Sequence, residues 1–319
     1  GTRTTAAAVA TSNQLVECNS TVWPFAAAVT TLKIFKGSVA VFGTTTFEFL
    51  EGWDSLAPPA SGRFDWRSSG GEAAIVRGFG FQGDAANQTA ANYSCLFSVG
   101  PSGIATAATV ANSSLLTCRT PEWGAQFPTQ LATLAVLRDS VPVAYFAGLP
   151  AATACGGEAG CALFFFDQVH SITPDSGAAD GGYDLALAGH GLDTAEQYRC
   201  NFSAAGNYAV SAAVTPASTT ALTCVAPVWE HDSGVVSVTL RQASTGRVVS
   251  ATSPLTFTIR SSWSAKDIYQ APARGGTTLN LVVAGLDADR TYECFLAAGS
   301  LNASSTLSRA AGTAASCVL

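Results

Sequence analysis

The stretch "VHSITPDSGAADGGYDLALAGHGLDTAEQYRCNF", residues 169–202, decides the fold of this chain. It runs from a Gly181–Gly182 pair into an alternating apolar segment, through a turn at Gly189 and Gly191, to Tyr198 two residues ahead of Cys200. Side chains alternate faces along a strand, so a period of two marks a strand with one face on a core. The same order recurs on either side. Residues 68–97 carry Gly70–Gly71, Tyr93 and Cys95, and residues 272–296 carry Gly275–Gly276, Tyr292 and Cys294. A self-similar chain is read as an array of one supersecondary unit.

Each first cysteine has a second downstream, at spacings of 23, 24 and 23: Cys95 and Cys118, Cys200 and Cys224, Cys294 and Cys317. Close cysteine pairs with nearby histidines would suggest zinc, and these are not such pairs. The spacing reads as one disulfide per unit, formed in an oxidising compartment. Cys155 and Cys161 enclose a short Gly-rich loop and form a fourth expected bridge, which leaves Cys18 spare, either free or intermolecular.

The second cysteines share a context, "SSLLTCRTPEW" (113–123) and "TTALTCVAPVW" (219–229), with Trp123 and Trp229 five residues on. A hairpin-like pair of alternating segments follows, closing on "LFFF" (163–166) or "LTFTI" (255–259). Residues 5–23 resemble residues 106–123, so Cys18 and Trp23 take the second-cysteine place, and residues 27–50 take that of the closing hairpin. The expected division is the back half of a unit over 1–50, a complete unit with a loop insertion over 51–166, a complete unit over 167–260, and a unit lacking its closing hairpin over 261–319. Period-two alternation, turn signals roughly every 8–12 residues and almost no helical periodicity predict an all-β chain of tandem antiparallel β-sandwiches.

Composition narrows function. Net charge is −6 and lysine is rare, which argues against nucleic-acid partners. No apolar run approaches the ~18 residues of a membrane-spanning helix. Methionine is absent, so Gly1 is no translation start, and the chain is read as the product of signal removal or as a piece of something longer. N-x-[ST] sequons stand at Asn19, Asn87, Asn92, Asn112, Asn201 and Asn302, and covalent glycans are expected there.

Candidate chemistry is thin. His170, His190 and His231 fall at a repeat start, a turn and a loop, and read as surface residues. Asp167, Asp175 and Asp180 lack the spacing of a calcium loop and read as turn formers. The glycines of "GFGF" (78–81) and "GHG" (189–191) read as turns needing positive φ, because no helix and no Lys-Ser/Thr follows to hold a phosphate. Trp23, Trp123 and Trp229 read as packing residues in preference to a sugar-binding strip, and Tyr93, Tyr198 and Tyr292 as structural. No catalytic residue, cofactor site or metal site is assigned.

Ile172, Pro174, Ser176–Gly177, Gly181–Gly182 and Gly189/Gly191 resemble the opening of an IPT/TIG domain, an immunoglobulin-like family. The Tyr-x-Cys and Leu-Thr-Cys-x-x-Pro-x-Trp pieces resemble its cysteine-bearing extracellular versions. The match is good over 167–260; over 51–166 the opening is degraded to "LAPPASG", and after 261 "IYQAPARGG" keeps the Gly-Gly pair alone. The resemblance implies tandem immunoglobulin-like sandwiches and a non-enzymatic, secreted or cell-surface protein, with algal flagellar hairs (mastigoneme-like proteins) as the preferred analogue. The expected function is a structural subunit of an extracellular glycoprotein filament or coat, joined head to tail to copies of itself by strand complementation between incomplete units. The alternatives are a receptor or adhesin ectodomain fragment binding a protein or glycan, and an accessory module of a carbohydrate enzyme.

Overall fold

A computed structural model describes residues 9–20, 22–57, 65–82, 91–146, 161–265, 270–309 and 314–318. The described residues are strands, turns and one short 3-10 turn at Trp123–Ala125. Contacts divide the chain into two compact units. One comprises Gly1–Trp66, Gly70–Pro121 and Leu131–Phe164; the other comprises Arg67–Ser69, Glu122–Gln130 and Phe165–Leu319.

The second repeat, around Tyr198, is the plainest sandwich. One sheet orders the strands Ala221–Val225, Asp184–His190, Gln168–Thr173 and Ser250–Ala251. The other orders Ser176–Ala178, Leu255–Arg260, Gly234–Gln242, Tyr198–Ala204 and Asn207–Val210. Burial alternates along Asp184–His190, Tyr198–Ala204, Ala221–Val225, Gly234–Gln242 and Leu255–Arg260, and in the last Leu255, Phe257 and Ile259 point inward. The inward sets of both sheets form one core with Leu185, Leu187, Phe202, Leu222, Val238 and Leu240. Cys200 and Cys224 bridge the two sheets across this core, with Cα atoms 6.3 Å apart.

In the first repeat, around Tyr93, the eleven-residue strand Ser102–Asn112 pairs with Tyr93–Val99 through its first half and with Leu115–Arg119 through its second. That strand joins what would be two sheets into one sheet of nine strands. Cys95 and Cys118 close it on itself. The third repeat has a four-stranded sheet, Ser262–Ala265, Thr278–Ala284, Ala314–Val318 and Ser308–Arg309, and a separate hairpin, Glu293–Ala298 with Leu301–Thr306. Cys294 and Cys317 tie the hairpin to the sheet. Residues 27–50 form two small antiparallel pairs, Ala28–Leu32 with Thr45–Phe49 and Phe35–Lys36 with Val39–Ala40.

Cys18 is free and exposed. Cys161 is buried and disulfide-bonded; its expected partner Cys155 lies outside the described residues. Both members of each Gly-Gly pair have positive φ, from 67° at Gly181 to 82° at Gly276, which side chains with a Cβ rarely adopt.

Candidate interaction face

One local device recurs three times. The indole Nε1 of Trp23 donates to the carbonyl of Ala26 (2.7 Å), that of Trp123 to Pro128 (3.1 Å), and that of Trp229 to Asp232 (2.8 Å). In each case the next residue donates its backbone N–H to a glycine carbonyl: Ala27 to Gly80 (2.8 Å), Thr129 to Gly191 (2.8 Å) and Ser233 to Gly285 (3.2 Å). All three glycines have positive φ, at 76°, 74° and 70°. The loop after each second cysteine is thereby fastened to the glycine turn of the repeat that follows in sequence. Trp123 lies flat on Phe165 at 4.8 Å and 9°, and Trp23 lies on Phe49 at 4.4 Å and 9°. The segment 22–50 thus rebuilds in small the packing of a closing hairpin.

Two residues after each of these glycines, the N–H of Gln82, Asp193 or Asp287 donates to the hydroxyl of Tyr93, Tyr198 or Tyr292, at 3.1, 3.0 and 2.9 Å. The intervening Phe81, Leu192 and Leu286 are buried. The hydroxyl then needs an acceptor for its own proton. Tyr93 donates to Glu51 Oε2 at 2.5 Å and Tyr198 to Asp167 Oδ2 at 3.3 Å. Burial, then the hydrogen bond to Glu51, pushes the Tyr93 pKa well above its ordinary value. Burial does the same for Tyr198, reinforced by the negative charges of Asp167 and Asp193.

Each carboxylate is matched by an arginine from the closing hairpin. Arg138 reaches Glu51 at 3.0 Å, and Arg247 holds Asp167 with two bonds of 2.6 and 2.8 Å. Asp167 is wholly buried. The expectation that it forms a turn is therefore corrected, because a buried carboxylate needs a cation and hydrogen-bond donors. In the third repeat the corresponding place is Ser261, whose hydroxyl donates to the Gly285 carbonyl at 2.7 Å. The signal for this network lay in Gly-Phe-Gln (80–82) and Gly-Leu-Asp (191–193, 285–287) and in the isolated acids at 51 and 167. The acid–arginine pairing, about 80 residues apart, had no local trace.

The third repeat differs most in what covers it. The inward residue two positions after the cysteine is Phe97 in the first repeat, Phe202 in the second and Leu296 in the third, with exposures of 0%, 2% and 46%. The Tyr93–Val99 strand pairs with Gln130–Arg138, and Tyr198–Ala204 pairs with Gly234–Gln242. Glu293–Ala298 pairs with Leu301–Thr306 alone among the described residues. The hairpin at 28–49 shows the converse. Ile34 and Val41, which stand in sequence at the places of the buried Val136 and Val143, are 40% and 47% exposed. With Leu32 they line a small open concavity.

The histidines are not loop residues throughout. His170 and His190 sit on neighbouring strands with rings 5.3 Å apart, His190 Nε2 is 2.8 Å from Glu122 Oε1, and His231 meets the edge of Trp229. No group of three or more His, Cys, Asp or Glu able to hold a metal occurs among the described residues. Asp180 is in a turn, and its N–H takes the Ser262 hydroxyl as acceptor. Asn19, Asn92, Asn112 and Asn302 are exposed, Asn201 is half-buried on a central strand, and Asn87 lies outside the described residues. Trp123 and Trp229 are fully buried, so they are packing residues.

No curated protein matches the chain. Among solved structures, a plexin A4 extracellular region is similar at 12% identity over 65% of this chain and 27% of that one, with a TM-score of 0.22. A tetra-tandem repeat from the extending region of a large adhesion protein is similar at 11% identity over 94% of this chain and 75% of that one, with a TM-score of 0.28. Chicken CNTN1 FN1–FN3 domains are similar at 7% identity over 68% of this chain and 69% of that one, with a TM-score of 0.21. The chain spans about a quarter to a third of the length of the two plexin A4 regions it matches. Residues 168–259, the repeat around Tyr198, match the family model of the IPT/TIG domain, and the described residues of the chain are all-β.

Proposed function

We propose that this chain is a non-enzymatic, extracellular, glycosylated structural protein that joins head to tail with copies of itself into a filament or coat. The observation that carries the reading is the 46% exposure of Leu296, at a place where Phe97 and Phe202 are buried. Burying a side chain of that size is worth roughly 1.5–3 kcal/mol, and an uncovered strand edge adds unpaired backbone groups. A strand supplied from another molecule meets both needs. Contacts of one patch with a different patch propagate when the geometry does not close. The disulfides fit an oxidising compartment, and the exposed sequons fit a secreted surface.

The test is sedimentation velocity of the purified chain over a concentration series, with electron microscopy of the same samples. Association into linear polymers is the expected result. A chain that stays monomeric at its highest soluble concentration would overturn the proposal.

A further inference from the structure

We infer that the free edge of the Glu293–Ala298 strand receives residues 28–36 of a second copy of this chain, antiparallel, with Leu32 opposite Leu296 and Lys36 opposite Tyr292. This rests on the self-assembly proposed above and adds to it the donor, the acceptor and the register.

The register is the one the other repeats use. Tyr93 pairs with Arg138, Cys95 with Val136 and Phe97 with Leu134; Cys200 pairs with Leu240 and Phe202 with Val238. Aligning Lys36-Gly37-Ser38-Val39 with Arg138-Asp139-Ser140-Val141 puts Lys36, Ile34 and Leu32 at the places of Arg138, Val136 and Leu134. Tyr292, Cys294 and Leu296 stand at the places of Tyr93, Cys95 and Phe97. Inward residues then meet inward residues, and a slip by one would turn every one of them to solvent.

The outer face supplies an independent reason for choosing a second copy. In this register Glu293 lies opposite Phe35 and Phe295 opposite Lys33. Diagonal neighbours across a strand pair are about 7–8 Å apart, within reach of long and aromatic side chains. Lys33 therefore reaches Glu293, and Phe35 reaches Phe295. Both phenylalanines are exposed, at 55% and 65%. The matching outer pairs within the chain are Ser94 with Leu137 and Leu96 with Ala135 in the first repeat, and Arg199 with Arg241 and Asn201 with Thr239 in the second. Neither set joins opposite charges or two rings, so this complementarity belongs to the pairing between copies.

The corner residue agrees. Arg138, opposite Tyr93, meets the Glu51 carboxylate, whereas Ser261 presents a hydroxyl; in the second repeat the residue opposite Tyr198 is Gln242, and Arg247 reaches Asp167 from further along the hairpin. A guanidinium brought there would lose its paired acceptor, while a lysine can run its stem along the surface and leave its ammonium in water. Lys36 is the form of this residue that Ser261 tolerates.

Two variants of the full chain test the pairing, each also carrying Cys18→Ser so that the exposed thiol does not interfere. One has Lys33→Cys and the other Phe295→Cys, and the two are distinguished by mass. Mixed under a mild oxidant, they are expected to give a disulfide-linked pair of unlike copies, with roughly tenfold less product when Ala297→Cys replaces Phe295→Cys. Equal yield from both pairings overturns the register. A further variant carries both Lys33→Cys and Phe295→Cys on one chain, and cross-linking confined to that single chain overturns the second copy as the occupant. Polymers that form without any cross-link overturn this inference and leave the self-assembly reading standing, whereas a chain monomeric throughout overturns both.

Discussion

Arg247 grips Asp167 with both Nη atoms, at 2.6 and 2.8 Å, and the carboxylate it grips is wholly buried. Removing the cation leaves that charge with the Tyr198 hydroxyl, 3.3 Å away, as its remaining side-chain donor among the described residues. Breaking a buried pair from one side costs about 3–5 kcal/mol, since the desolvated charge stays behind. Arg247→Gln is therefore expected to lose stability on that scale in urea unfolding. Asp167→Ser, which places a serine where the third repeat has Ser261, combined with Arg247→Gln, is expected to lose less than the single change. If the double variant proves the weaker, the network is not held together by charge pairing.

The tyrosine corners set an alkaline limit. Tyr93 and Tyr198 are held protonated in the folded chain, chiefly by burial. In the unfolded chain a tyrosine ionises near pH 10. A raised folded pKa means that the folded state keeps protons the unfolded state releases, so the contribution is intact below about pH 10 and is lost as pH rises beyond it. Each such tyrosine steepens the loss by about 1.4 kcal/mol per pH unit. Phenolate absorbance during an alkaline titration is expected to lag most for Tyr93 and Tyr198 until the chain unfolds, with smaller lags at Tyr145 and Tyr183, whose pKa burial also raises. Tyr93→Phe and Tyr198→Phe should each remove one lagging group.

The glycine turns separate two kinds of strain. Gly191 has φ of 74°, and a Cβ there would come within 2.5 Å of Ser68 Oγ and 2.8 Å of Ser68 Cβ. Gly182 has φ of 81° with nothing within 4 Å of the added atom. Gly182→Ala is expected to cost the conformational penalty alone, about 1–2 kcal/mol. Gly191→Ala should cost clearly more, because overpacking adds to it by about 1–3 kcal/mol. Thermal unfolding of both variants measures the difference, and equal losses would mean that the joint yields easily around Gly191.

These sites show which parts of the molecule could be read in advance. The Tyr-x-Cys segments, their disulfides and the positive-φ glycines were legible because each is set by residues close in sequence or by a repeated spacing. Trp123 and Trp229 were legible as packing residues because they stand at one offset from a cysteine. Asp167 was misread as a turn former since its partner Arg247 lies 80 residues away, and no local pattern records that a hairpin will return there. His190 was misread as part of a turn because the strand Asp184–His190 runs on into the "GHG" glycines. The exposed face at Leu296 follows from which strands pair, and pairing is a property of the fold, not of the strand.

The cysteines offer a final prediction, and it bears on that exposed face. Cys95, Cys118, Cys200 and Cys224 are buried, while Cys294 is partly exposed on the hairpin whose outer edge pairs with no other described strand. Thiol–disulfide exchange requires a thiolate to reach a sulfur, so access governs the rate. Among Cys95–Cys118, Cys200–Cys224 and Cys294–Cys317, the last is expected to be reduced first by a mild thiol, roughly tenfold ahead of the other two. Differential alkylation with peptide mass mapping reads the order directly. The lead should shrink as protein concentration rises, because a strand laid along Glu293–Ala298 covers Cys294. A lead that does not change with concentration would mean that nothing from a second copy reaches this edge.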